Sequence, residues 1–170
     1  MINFKHSLIS IFFFVFFLTP VLSNEKIVFI DINYVINESI YGKSILENLN
    51  NIYEKNNKKI ETKKKNIQDQ DNEIKKTSNI ISKEELDKKI RLLKEEIKNF
   101  RAIQKELDAN FKKNKNEQIN AFMIKINPLI EKYMEDKSID IMMRREDIFI
   151  AKKSINVSDD IIILIDKNVK

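Results

Sequence analysis

The chain of 170 residues has no cysteine, one glycine, two prolines and a single histidine, His6. Without cysteine it cannot form disulfides, thiolate nucleophiles or cysteine-ligated metal sites. Beyond residue 23 it also lacks histidine, the side chain best suited to proton transfer near neutral pH, and it has no glycine-rich phosphate loop. We therefore expect no catalytic, cofactor-binding or metal-binding residues, and a protein that is not an enzyme. Catalysis by carboxylates alone is the remaining enzymatic alternative, although no acids are grouped beyond helix surfaces.

The amino-terminal segment has the pattern of a secretory signal peptide. Lys5 and His6 precede an uncharged apolar run from Leu8 to Leu18, which is shorter than the about 20 residues that a membrane-spanning helix needs. Pro20 and a cut after Ser23 complete the pattern. We therefore expect residues 1–23 to be removed and the rest of the chain to be exported. An uncleaved membrane anchor is the alternative.

Residues 43–135 carry apolar side chains at coiled-coil spacing. Because glycine and proline supply most turns, their scarcity also favours long helices. The first half repeats an apolar residue every seven positions at Leu46, Tyr53, Ile60, Ile67 and Ile74. The second half has a denser stripe at Leu86, Ile90, Leu93, Ile97, Phe100, Leu107 and Phe111. Spacings of four and three residues predict a narrow contact between two helices rather than a globular core.

A turn is expected at residues 78–82, between the two halves of this region. Ser82 and Glu85 form a capping box, which marks the start of a helix. The sequence therefore predicts an antiparallel helical hairpin over residues 43–135 with its tip near residues 78–82. One continuous helix with a polar patch is the alternative. Pro128 lies inside the second helix and should bend it.

Strand-like patterns lie at both ends of the exported chain. Residues 27–31, 138–145 and 147–155 combine apolar and β-branched residues, and residues 156–169 are expected to form a short helix with Ser158 as its N-cap. The predicted fold class is therefore α+β and mostly α, with a small β-rich body built from residues 24–42 and 136–170. Three short strands make a weak sheet with exposed edges, so we expect other copies of the chain to complete this body.

Positive charge is concentrated on the hairpin. Residues 43–115 contain twenty Lys or Arg and thirteen Asp or Glu, a surplus of seven. A basic arm is predicted at Lys63, Lys64, Lys65, Lys88, Lys89 and Arg91. Such an arm attracts anionic partners, and the alternative is an ordinary solvated helix face with paired charges. Nucleic acid is not an expected partner, because the chain is predicted to be exported.

Both ends of the chain resemble a known family. The stretch KIVFIDINYVINESIYGK resembles the opening of the Skp (OmpH-like) family of periplasmic chaperones for outer-membrane proteins, through Lys26, Ile27, Asp31, Ser39, Gly42 and Lys43. The stretch SIDIMMRREDIFIAKKSINVSDDIIILI resembles the family's ending, through Asp140, Arg145, Ala151, Ile155, Val157, Ser158 and Asp159.

The resemblance implies a homotrimer with a shared β body and projecting helical hairpins. It implies a periplasmic, ATP-independent holdase that keeps unfolded outer-membrane proteins from aggregating in the cavity between the arms. Anionic membrane surfaces and lipopolysaccharide are further candidate partners. The trimer body is expected to use Ile27, Phe29, Ile139, Ile141, Phe149 and Ile162. Client contacts are expected at Tyr53, Ile60, Ile67, Ile74 and Phe100.

Two alternatives to these assignments stay open. The five candidate client contacts could serve only to pack the two helices of the hairpin together. The whole protein could be a secreted structural or adaptor coiled-coil protein of the cell envelope, with one fixed partner and no general effect on aggregation.

Overall fold

The computed structural model describes residues 25–169. The expected signal peptide and its cleavage after Ser23 lie outside these residues. The elements, in chain order, are strand β1 (Ile27–Ile30), helices α1 (Ile32–Glu38), α2 (Ile40–Thr77) and α3 (Lys83–Asp136), strand β2 (Ile141–Arg144), two short 3-10 turns (Arg145–Asp147 and Lys153–Ile155) and helix α4 (Ser158–Asn168). The predicted α+β, mostly α fold class with a long helical hairpin is confirmed.

Helices α2 and α3 form the hairpin. They contain 38 and 54 residues, or about 57 and about 81 Å at 1.5 Å per residue. Residues 78–82 join them, and the Ser82 hydroxyl accepts a hydrogen bond from the Glu85 backbone N–H at 3.2 Å. Ser82 therefore caps α3 as the sequence predicts. Because α3 is the longer helix, its last turns continue past the start of α2 and reach the body.

The two strands bring the chain ends together. β1 and β2 pair in parallel, with Ile27 opposite Ile141 and Ile30 opposite Arg144. The Asp140 carboxylate accepts a hydrogen bond from the Lys26 backbone N–H at 2.7 Å and extends the contact by one residue. Parallel strands need a long crossover connection, and here the whole hairpin provides it.

The predicted strand over residues 147–155 is wrong. This segment consists of extended backbone and a 3-10 turn, and the nearby contact with β1 is a single bridge between Phe29 and Asn156. Phe149 is 100% exposed and Ile150 is 83% exposed. A strand needs a neighbouring backbone for its hydrogen bonds, and no strand of the described chain lies beside this segment.

Two local features also differ from the sequence prediction. Helix α1 was not expected, although Asp31 gave a signal for it, since its carboxylate accepts a hydrogen bond from the Tyr34 N–H at 2.9 Å and caps the helix. Ser158 is not the N-cap of α4, because Val157 holds that position. The fully buried Ser158 hydroxyl instead accepts from the Asp31 N–H at 2.8 Å and donates to the Asn156 side-chain oxygen at 2.7 Å.

A hydrophobic core lies where the helix ends meet one face of the sheet. Val28 and Ile30 of β1 contribute to it from the strand, because alternate side chains of a strand share a face. The fully buried apolar side chains of the core are Val35, Phe122, Ile126, Ile161 and Ile165. They come from α1, the end of α3 and α4, so the body is held together by side chains far apart in the sequence.

Gly42, the sole glycine of the chain, allows α1 and α2 to cross closely. A Cβ atom at this position would lie 2.7 Å from the Ile36 Cα and closer still to the Ile36 carbonyl oxygen. Both of these atoms belong to the backbone of the neighbouring helix and cannot rotate away. The adjacent Ser39 is fully buried, and its hydroxyl accepts a hydrogen bond from the Gly42 N–H at 3.1 Å.

We expect Gly42→Ala to lower the free energy of unfolding by about 2–3 kcal/mol, because the added methyl group forces α1 and α2 apart. Urea denaturation of a protein comprising residues 24–170 measures this change. Glu47→Ala, an exposed substitution on the same helix, is the control and should change stability by less than about 0.5 kcal/mol. An alanine that instead stabilises the protein, as it does in an exposed helix by about 1 kcal/mol, would contradict the close crossing.

A half-buried tyrosine joins α3 to α4. The Tyr133 hydroxyl donates a hydrogen bond to the Asp160 carboxylate at 2.6 Å. Burial, followed by this hydrogen bond and the Asp160 charge, raises the pKa of Tyr133 from 10.0 to about 12. Because the pKa is higher in the folded state than in the unfolded chain, the stabilising contribution is complete below pH 10 and is lost as the pH rises towards 12.

Between pH 9 and pH 11, the protein comprising residues 24–170 should therefore lose on the order of 1 kcal/mol more stability than its Tyr133→Phe variant. Urea denaturation at the two pH values provides the measurement. Both proteins contain the same lysines, so the difference between their losses of stability measures the contribution of Tyr133 ionisation. Equal losses would mean that Tyr133 ionises as freely in the folded protein as in the unfolded chain.

Candidate functional site

The interface between the two hairpin helices contains few buried side chains away from the body. Ile45 and Leu49 are buried near the base of α2. From residue 50 to residue 115, a stretch that the structure describes completely, Leu93 is the one buried side chain. The helices therefore meet through half-buried residues, and apolar surface remains accessible along their contact. Three grooves lie along it.

The groove nearest the body has a volume of about 170 Å³ and contains two aromatic rings. The Tyr53 and Phe111 rings lie with centroids 6.0 Å apart at 55°, and Tyr53 is 50% exposed. Ile60 and Leu107 extend the apolar lining, and the rest is polar. Asn56, Asn57, Gln104 and Asp108 supply that polar part.

The middle groove is the largest of the three, at about 510 Å³. Ile67, Leu92 and Phe100 form its apolar part. Gln70 on α2 donates a hydrogen bond to Glu96 on α3 at 2.6 Å and bridges the two helices beside the groove. Lys63, Glu95, Glu96 and Asn99 complete the lining, so this surface combines an apolar floor with charges of both signs.

The groove closest to the hairpin tip has a volume of about 170 Å³ and is lined by Ile74 and Leu92, with three polar residues. Lys89 forms an ion pair across the hairpin with Glu73 at 2.9 Å. The hydrogen bond from Lys89 lowers the pKa of Glu73, and the same bond raises the pKa of Lys89. Both groups are therefore charged near neutral pH.

Every predicted client-contact residue lines one of these three grooves. Tyr53 and Ile60 lie in the first groove, Ile67 and Phe100 in the second, and Ile74 in the third. Sequence reasoning missed Leu92, which is 52% exposed and shared by two grooves. It lies beside Leu93 but off the regular stripe, so the repeat alone gave no signal for it.

The residues predicted for the trimer body divide into exposed and buried groups. Ile27 is 41% exposed and Ile141 is 43% exposed. They are direct partners in the parallel register and so share the face of the sheet that points away from the core. Phe149 is completely exposed, as noted above. These residues form an accessible apolar surface on the body.

The other three predicted residues pack within the chain. Phe29 is 6% exposed, with the Arg145 guanidinium 5.9 Å from its ring centroid. Ile139 is buried in the hydrophobic core, and Ile162 is half-buried against it. Their contacts within one chain explain their burial without a second copy.

The outer edge of β2 is open. On the far side of β1, the Val157 N–H donates a hydrogen bond to the Phe29 carbonyl at 3.0 Å and covers part of that edge. β2 pairs with β1 alone among the described strands. Its remaining backbone N–H and carbonyl groups therefore face outward, which is the arrangement that favours pairing with another chain.

The predicted basic arm is divided between the two helices. Lys63, Lys64 and Lys65 lie on α2, whereas Lys88, Lys89 and Arg91 lie on α3. Within residues 25–169, Lys89 is the one member of this set that forms an ion pair. The other five are available to anionic partners.

Two further observations concern metals and membranes. Within residues 25–169, His, Cys, Asp and Glu side chains form no cluster of three or more that could hold a metal ion. None of the helices that the structure describes combines the length and the apolar character needed to cross a bilayer.

Comparison with known proteins identifies the family. A crystal structure from Caulobacter crescentus CB15, of a protein assigned as an outer membrane chaperone (OmpH-like), matches the chain with a TM-score of 0.72 and 15% identity, and the match covers 89% of each chain. At this identity the match shows a shared fold. A comparison with curated proteins finds no match. The family model of outer membrane proteins described as OmpH-like matches residues 26–164. This match confirms the resemblance at the chain ends, and the chain belongs to the OmpH-like family.

Proposed function

We propose that the protein is an ATP-independent holdase chaperone of the periplasm, which binds unfolded outer-membrane proteins and prevents their aggregation. The observation that carries this proposal is the row of three grooves along a projecting hairpin, with all five predicted client contacts in them. The Caulobacter protein of the same fold is also assigned as an outer membrane chaperone. No catalytic step belongs to this function.

The chemistry of the grooves suits a client without fixed structure. Each groove offers a few apolar side chains beside polar ones, so a single contact is weak. Several weak contacts on one arm raise the overall affinity, because after the first contact the others form at high effective concentration. Release requires each weak contact to open in turn, so no nucleotide is needed.

Trimerisation is part of the proposal. The exposed face of Ile27 and Ile141, the exposed Phe149 and the open edge of β2 support it. Residues 24–42 and 136–170 would form the shared body, and residues 43–135 the arms. The three arms would then enclose a cavity in which a client is kept apart from other clients.

The amino-terminal pattern supports a periplasmic location. Cleavage after Ser23 would release the chain into the periplasm, where outer-membrane proteins pass before insertion. The positive surplus of the arms supports attraction to acidic clients, to anionic membrane surfaces and to lipopolysaccharide.

Ile141→Asp should convert the trimer into a monomer, because a carboxylate buried between subunits is destabilising. Light scattering on the exported chain after size-exclusion chromatography gives the mass of both proteins. Ile124→Asp introduces the same charge at a site on α3 that is 74% exposed, and this control should remain a trimer. A wild-type chain that is monomeric would overturn the proposed assembly.

The exported chain should keep a urea-denatured outer-membrane β-barrel protein from aggregating after dilution, without nucleotide. Replacing Ile67 and Phe100 together by serine should reduce the protection at least about threefold, since two of the three apolar side chains of the middle groove are removed. Turbidity against chaperone concentration measures the effect, and Ile124→Ser serves as the control.

A trimer that gives no protection against aggregation, but binds one envelope component tightly, would favour the adaptor alternative. Equal protection by the groove variant and the wild-type chain would mean that the middle groove is not a client site.

A further inference from the structure

The positive surplus of the hairpin lies in its middle stretch, between the base and the tip. We call residues 55–65 of α2 and 98–115 of α3 the basic shaft; it contains twelve Lys or Arg and three Asp or Glu, a surplus of nine. Residues 66–97, which include the tip, contain seven Lys or Arg and eight Asp or Glu, a deficit of one. Residues 43–54 and 116–135, which adjoin the body, contain three Lys and five Asp or Glu. The hairpin thus has a cationic shaft between a slightly acidic base and a nearly neutral tip.

The two segments of the basic shaft face each other. The groove between Tyr53 and Phe111 is lined by residues 53–60 on one side and 104–111 on the other. The aromatic groove therefore lies within the cationic part of the hairpin. Asp108, the one charged residue that lines this groove, forms an ion pair with Lys112 at 2.9 Å. Lys113 pairs with Glu117 at 3.9 Å, and the other ten shaft cations have no ion-pair partner in the described chain.

The cations are distributed around the shaft. Lys63, Lys64 and Lys65 are consecutive, and consecutive residues of a helix point about 100° apart. A flat membrane surface can touch one side of such a rod at a time. A flexible anionic chain can follow several sides at once, and its carboxylates can reach more of the lysines within the screening length of about 10 Å.

We propose that the basic shaft and the Tyr53–Phe111 groove form one binding site for an extended polypeptide segment in which an aromatic side chain is flanked by carboxylates. The aromatic side chain occupies the groove beside the two rings, where edge-to-face contact is favourable. The carboxylates pair with the surrounding lysines. The tip, with its balanced charges and the groove at Ile74 and Leu92, takes client segments without this acidic character. This inference rests on the proposed holdase function and specifies which client segments bind where.

The test measures binding of short fluorescent peptides to the exported chain by anisotropy. The probe peptide has phenylalanine between aspartates; two further peptides replace the aspartates by asparagine or the phenylalanine by alanine. Lys63→Gln, Lys64→Gln and Lys65→Gln together should weaken binding of the probe about tenfold, since three ion contacts are lost. Tyr53→Ala should weaken it about fivefold, and both replacement peptides should bind the wild-type chain more weakly than the probe.

The matched control is the triple variant Lys76→Gln, Lys83→Gln and Lys94→Gln. It removes the same charge from three exposed positions in residues 66–97 and should change affinity less than about twofold. Equal weakening by the two triple variants would overturn the site, because only net charge would then matter. Loss of binding to phosphatidylglycerol vesicles by the shaft variant, with unchanged peptide affinity, would identify a membrane as the occupant and also overturn it.

The same variants separate this inference from the proposed function. Suppression of aggregation by the wild-type chain, together with equal peptide binding by both triple variants, would leave the holdase standing and remove the shaft site. Specific peptide binding by a chain that does not suppress aggregation would leave the shaft site standing and remove the holdase function.

Discussion

The parallel pairing of β1 with β2 is the constraint on which the rest of the structure depends. The four residues of Ile27–Ile30 pair with four residues that lie more than one hundred positions later. A parallel connection cannot be a tight turn, so everything between the strands must leave the body and return. An uninterrupted pair of helices does this with a single turn, which suits a chain with one glycine and two prolines.

The body can then be small because it has only to fix the helix ends that lie within it. Asp31 caps α1, Asp166 accepts a hydrogen bond from the first N–H of α2 at 2.7 Å, and Asp160 binds Tyr133 of α3. Two of these carboxylates come from α4, the last helix of the chain. The carboxy-terminal helix therefore both fills the core and fastens α2 and α3, which explains how such long arms can start from so little buried surface.

In the arms, apolar side chains stay accessible at the expense of stability. The interface between α2 and α3 is narrow, and its half-buried side chains leave open grooves. A tightly packed coiled coil would be more stable but would offer no apolar surface to a client. Polar cross-links such as Gln70 to Glu96 and Lys89 to Glu73 keep the helices in register without closing these grooves. The uneven distribution of charge adds a chemical difference between the shaft and the tip.

The sequence by itself determined the hairpin, its turn and the Ser82 cap, because these depend on helical spacing and on local hydrogen bonds. Only the tertiary structure decided which strand-like segment pairs with β1, because strand formation needs a partner backbone that local pattern cannot supply. It also decided that Ser158 binds Asp31 rather than capping its own helix, and that Leu92 opens into two grooves. Those outcomes depend on which surfaces meet across long separations in the chain, and a one-dimensional pattern does not carry that geometry.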